Sequence, residues 1–118
     1  FAHAYEGALG FSKKLNHGEA VLLGINSALK FSYKKKYFKK NDYESILNHI
    51  IKYKFPYKIK NYFSSKSVNK ILSFMIKDKK NSSRKINLIL LKKIGSTILN
   101  NQYSINDLKL FLREELRD

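Results

Sequence analysis

The chain has 118 residues, a formal charge of +15, 43% hydrophobic and 14% aromatic residues, a single proline and no cysteine. That suffices for one domain around one core. It excludes a disordered tail, a collagen-like repeat, a disulfide scaffold, a cysteine-based zinc or iron–sulfur site and a cysteine nucleophile. No uncharged apolar run approaches the roughly 18 residues that span a bilayer, and no signal peptide is visible, so a cytoplasmic protein without membrane association is expected.

Residues 2–9 (AHAYEGAL) read as the end of a helix begun before Phe1, weakened at Gly7 and stopped at Gly10. Residues 10–17 read as a loop. From Gly18 to about Phe31 the spacing predicts a buried helix whose apolar face carries Val21, Ile25, Ala28 and Leu29, widened by Ala20, Leu22 and Leu23. Residues 34–40 form a charged, solvated connector. Asn41 stands three residues before Glu44, a capping-box-like start. Tyr43, Ile46, Leu47, Ile50 and Ile51 then follow at helical spacing, giving a helix over 42–53 that ends at Lys54-Phe55-Pro56.

Residues 57–65 are a basic stretch with room for one helical turn. Val68, Ile71, Leu72, Met75 and Ile76 form a stripe that predicts a helix over 66–78, and 78–83 is polar loop. Residues 85–91 (KINLILL) are the best strand candidate, with 96–99 as partner and a turn over 92–95. Ser104, with Asp107 three residues on, caps a last helix that carries Ile105, Leu108, Phe111 and Leu112. The expected architecture is mainly α: a helical bundle with one short β-hairpin, in one domain over 1–118.

The positive charge has two readings. Basic surfaces bind nucleic acid or anionic membranes. Here, however, only Arg84, Arg113 and Arg117 are arginine against 21 lysines, and Ile, Asn, Tyr and Phe are abundant. That is the usage an AT-rich genome favours, and a DNA reader would draw on the bidentate fork of arginine. Solvated lysine faces are the preferred reading, with a smaller part of the charge serving a phosphorylated substrate.

Three histidines are available for chemistry. His49 lies among apolar and lysine neighbours in the 42–53 helix and reads as structural or solvent-facing. His3 stands three residues before Glu6, the spacing of a histidine–carboxylate surface pair. His17 closes a loop directly before Gly18-Glu19 and the buried helix. That position suits a metal ligand or an anion contact, and equally a histidine that simply caps the helix. Spacing assembles no complete metal site within the chain.

Phe1-Ala2-His3-Ala4-Tyr5-Glu6, then Leu15-Asn16-His17-Gly18-Glu19-Ala20-Val21 and Gly24, resemble the C-terminal domain of 3-dehydroquinate synthases. That family carries G-H-[ST]-F-[GA]-H-A-x-E followed by L-x-H-G-E-[AC]-V-x-x-G. Met75-Ile76-Lys77-Asp78-Lys79-Lys80-Asn81 resembles the family's M-x-x-D-K-K-N loop, and residues 85–95 its following hairpin. The order and spacing hold over nearly the whole chain, with 34–65 least distinctive.

The resemblance implies a metal- and NAD-dependent cyclase of the shikimate pathway, which converts a seven-carbon keto acid phosphate with loss of phosphate. It implies that His17 is the second of two metal histidines, for zinc or cobalt. The first histidine and a glutamate ligand fall upstream of Phe1. His3 matches an active-site histidine that contacts substrate, and Lys79 or Lys80 matches the residue that reaches the phosphate. Glu19 matches a motif residue with a structural or supporting role. The chain opens mid-motif and holds no Gly-rich strand–turn–helix unit for a nucleotide. It is therefore expected to be the C-terminal part of a longer enzyme, inactive alone, whose partners are its own N-terminal domain and, at full length, a second copy in a homodimer. The alternatives are a related sugar-phosphate cyclase, a metal-dependent alcohol dehydrogenase of the same superfamily, or a basic helical module that binds nucleic acid.

Overall fold

A computed structural model describes residues 1–77, 85–93 and 96–117, with the backbone alone over 85–93 and 96–101. The elements in chain order are α1 (Ala2–Ala8), α2 (His17–Lys34), α3 (Lys40–Lys52), α4 (Val68–Ile76), β1 (Lys85–Lys93), β2 (Ser96–Ser104) and α5 (Ile105–Glu115). Short 3-10 turns at Ile59–Asn61 and Ser65–Ser67 lead into α4. The architecture is the expected mainly α bundle with one hairpin. The hairpin is longer than its apolar run: β1 pairs antiparallel with β2 from Lys85↔Ser104 to Lys93↔Ser96, with irregularities between Leu88 and Leu90 and between Leu91 and Lys93. Residues 94–95 of the expected turn lie outside the described residues.

Three helices end alike. After α1, α2 and α3 a left-handed residue follows the cap: Gly10 (φ 67), Lys36 (φ 64) and Lys54 (φ 59). Each time the next amide reaches back across the turn, Phe11 to the Glu6 carbonyl, Tyr37 to Ser32 and Phe55 to Ile50. These paired bonds satisfy carbonyls that a helix end leaves open. Pro56 thus stands beyond a stop already made by Lys54. The start of α3 differs from expectation. Lys39 is its N-cap, without a side-chain bond, and Asn41 lies inside the first turn. Phe38, 2% exposed, is anchored in a small cluster with Leu29 and Tyr43 and sets where α3 begins. The Ser104 cap of α5 is as expected: its hydroxyl accepts from the Asp107 amide at 3.2 Å.

The main core gathers Tyr5, Ala20, Leu23, Phe31, Ile71, Leu72, Leu108, Phe111, Leu112 and Leu116. The buried face of α2 therefore runs Ala20, Leu23, Gly24, Ser27 and Phe31, and Leu29 is buried on the α3 side. Ile25, expected in the core, is 47% exposed, and Val21 and Ala28 are half-buried. Two polar or small residues explain the rotation. Ser27 Oγ lies 2.6 Å from the Tyr5 hydroxyl, which is fully buried. A Cβ at Gly24 would stand 2.8 Å from the Ala2 backbone nitrogen, so α1 crosses α2 where no side chain intervenes. On its other side α1 meets α4, where the Phe74 ring lies over Gly7 and would be 2.5 Å from a Cβ there.

Part of the lysine surplus joins elements. Lys30 pairs with Glu115 at 2.7 Å, Lys34 with Glu114 at 2.7 Å and Lys35 with Asp107 at 3.3 Å, tying α2 to α5.

Candidate functional site around His17

Asn16 caps α2, and His17 is the first helical residue, so His17 is not itself the cap. The Asn16 side chain accepts from the Glu19 amide at 2.8 Å, and the Glu19 carboxylate accepts from the Asn16 amide at 3.1 Å. This reciprocal box satisfies two otherwise open donors of the first turn. The Tyr62 hydroxyl also donates to the Glu19 carboxylate at 3.3 Å. Burial and that carboxylate together raise the Tyr62 pKa. Glu19 thereby holds the start of α2 in place, the structural role its motif position implied.

From this clamped turn His17 projects outward, with a side chain 79% exposed. Its Nδ1 lies 3.1 Å from Glu6 Oε1 on α1, whose carboxylate side chain is 17% exposed. Glu6 thus meets His17 rather than making the expected pair with His3. A carboxylate can only accept, so Nδ1 carries the hydrogen, and whenever the ring is neutral the free lone pair is on Nε2. An outward imidazole nitrogen backed by a carboxylate is the form in which proteins present histidine to zinc or cobalt. The donor chemistry at His17 therefore fits a divalent metal. Among the described residues no group of three His, Asp or Glu side chains is placed to hold a metal ion.

His3 is exposed and lies one turn before Glu6 on the same helix, hence on the same face. Its ring packs 6.0 Å from Phe11, and Phe11 packs edge-on to Phe74 at 6.4 Å. Lys77 Nζ sits 5.6 Å from the Phe74 ring centre. A row of contacts thus runs from His3 across the exposed Phe11 to the last described residue of the α4 segment. Lys79 and Lys80 lie outside the described residues. His49 is exposed and packs against Tyr53, with ring centres 4.7 Å apart. A cavity of about 280 Å³ opens elsewhere, lined by Asn26, Lys30, Tyr43, Tyr57, Lys58 and Glu115 among others, and neither His3 nor His17 borders it.

Sequence reasoning missed the Asn16 cap and the Glu6 contact. The first was visible as Asn16 three residues before Glu19, the same signal sought at Asn41. The second joins residues eleven apart on different helices, and no local spacing announces it.

No helix among the described residues is long and apolar enough to cross a membrane. In fold, the chain is similar to 2-deoxy-scyllo-inosose synthase, in a crystal structure complexed with carbaglucose-6-phosphate, NAD+ and Co2+. The TM-score is 0.66 at 19% identity, covering 97% of this chain and 32% of that one. In sequence it is 47% identical over 116 residues to the 3-dehydroquinate synthase of Pelagibacter ubique (strain HTCC1062), covering 98% of this chain and 32% of that protein. The enzyme of the same name from Endomicrobium trichonymphae is 38% identical over 117 residues, covering 97% of this chain and 31% of its own length. The chain thus spans about a third of the length of these relatives. Residues 1–81, which hold both histidine motifs and the His17–Glu6 contact, match the family described as 3-dehydroquinate synthase C-terminal, and the chain belongs to that family.

Proposed function

We propose that this chain is the metal- and substrate-binding part of a 3-dehydroquinate synthase, a cytoplasmic enzyme that cyclises a seven-carbon keto acid phosphate with loss of phosphate. The observation that carries the reading is the presentation of His17, outward on a clamped helix start with Nδ1 held by Glu6. The sequence relatives, named 3-dehydroquinate synthase, favour this enzyme over the related cyclase, whose likeness at 19% identity is one of fold.

In this reading His17 contributes Nε2 to a zinc or cobalt ion, and its other ligands, a histidine and a glutamate, come from upstream of Phe1. That upstream histidine falls four residues before His3 and seven before Glu6, so all three share one face of an extended α1. The ion, when bound, polarises a substrate hydroxyl and the carbonyl formed from it. NAD is held by an N-terminal domain, and Co2+ and NAD+ in the complex of the structural neighbour accord with both cofactors. His3, exposed on the same face, donates to a phosphate oxygen or moves a proton, as an imidazole does near neutral pH. Lys79 and Lys80 supply point charges for the phosphate. The 118 residues alone are expected to be inactive, and the full-length enzyme to be a homodimer.

The test is the full-length protein with His17→Ala. Tight zinc binding and turnover should both be lost. Full zinc occupancy with an unchanged rate would overturn the assignment.

A further inference from the structure

We propose that Glu6 is the positioning residue for His17: its carboxylate fixes the tautomer and the ring orientation that aim Nε2 at the metal. This rests on the reading of His17 as a metal ligand. An exposed histidine on a first helical turn is free to rotate about both side-chain torsions and to exchange tautomers. The contact to Glu6 at 3.1 Å removes both freedoms, because a carboxylate accepts only from a protonated Nδ1. It also makes the opposite nitrogen a stronger donor to a cation.

Both ends of the contact are built on fixed elements. Glu6 lies between Tyr5, whose hydroxyl is buried against Ser27, and Gly7, pressed against the Phe74 ring. Its own carbonyl accepts from the Phe11 amide at 2.9 Å, closing the end of α1. His17 follows the Asn16–Glu19 box, itself joined to Tyr62. The carboxylate is mostly covered and the imidazole mostly exposed, at 17% and 79% of their side-chain surfaces. The rigid partner is therefore the glutamate, and the ring is the group being held.

The experiment measures zinc affinity of the full-length protein by competition with a chromophoric chelator, together with the visible absorption of its cobalt form. Glu6→Ala should weaken zinc binding by about 10- to 100-fold and alter the cobalt bands, while full occupancy is still reached at saturating zinc. Glu6→Gln, whose amide oxygen still accepts from Nδ1, should recover most of the loss. Should Glu6→Ala not fold, Glu6→Asp carries the same test, since its carboxylate is withdrawn by one methylene and affinity should fall within the same range. Wild-type affinity in Glu6→Ala, with binding lost in His17→Ala, would overturn the positioning role alone. Wild-type affinity in His17→Ala would overturn the ligand reading beneath it. Binding lost beyond recovery in both Glu6→Ala and Glu6→Gln would make Glu6 a ligand and overturn the proposal.

Discussion

Tyr5 shows how one side chain can couple the core to pH. It has no exposed surface, and its hydroxyl meets Ser27 at 2.6 Å. Burial raises its pKa well above the ordinary 10.0. Burial likewise pushes Tyr43 up to about 12, with a smaller contribution from the negative charge of Glu115. Tyr103 is raised for the same first reason. A raised folded-state pKa gives stability that is fully present below pH 10 and is lost as pH rises through the folded value. Chemical denaturation should therefore show a stability plateau ending near pH 10, then a decline of about 1.4 kcal/mol per pH unit from Tyr5 alone. Tyr5→Phe should flatten part of that decline, even though it leaves Ser27 without its partner. An unchanged slope in Tyr5→Phe would show that Tyr5 ionises freely in the fold.

Along α2, hydrophobicity alone does not decide which side chains the core uses. Leu23 has no exposed surface, whereas Ile25, two residues on, is 47% exposed. Leu23→Ala should cost about 2–5 kcal/mol, because it opens a cavity in the main core. Ile25→Ala removes half-solvated methyls and should cost less than about 1 kcal/mol. Urea unfolding of the two variants distinguishes this register from the one that buries Ile25. The left-handed lysines mark a second property of the elements. Lys36 and Lys54 hold a backbone conformation that costs an L-residue about 1–2 kcal/mol, yet the paired hydrogen bonds and the anchored Phe38 keep the turn after α2 in place.

For the whole molecule, the packing of α1 against α2 and α4 sets which residues Glu6 and His3 meet. Because α1 is pressed between α2 and α4, Glu6 reaches His17 on one side, and Phe11 and Phe74 lead from His3 to Lys77 on the other. In the full-length enzyme, Lys79→Ala and Lys80→Ala separate the two candidates for the phosphate contact. The variant that loses the contact should show a raised KM with zinc content unchanged, and the other should stay near wild type. Unchanged kinetics in both variants would remove the phosphate role from this pair.

Much of the helical framework was legible from local pattern alone, whereas His3 and His17 were singled out by their motifs. The α4 stripe at Val68, Ile71, Leu72 and Met75, the Ser104–Asp107 cap and the stop at Gly10 each depend on a few neighbouring residues, and each is found where the spacing put it. The two histidine motifs sufficed to mark the family, since they preserve residue types at fixed separations. Tertiary structure decided which face of α2 turns inward, because that depends on a hydroxyl for Tyr5 and a gap for α1, and hydropathy ranks Ser27 and Gly24 below Ile25. It also decided the partner of Glu6. His3 is nearer in sequence, but the crossing of α1 over the start of α2 brings His17 within 3.1 Å. Contacts of that kind arise from how helices pack, and a helix's own sequence specifies its faces but not the neighbour each face will meet.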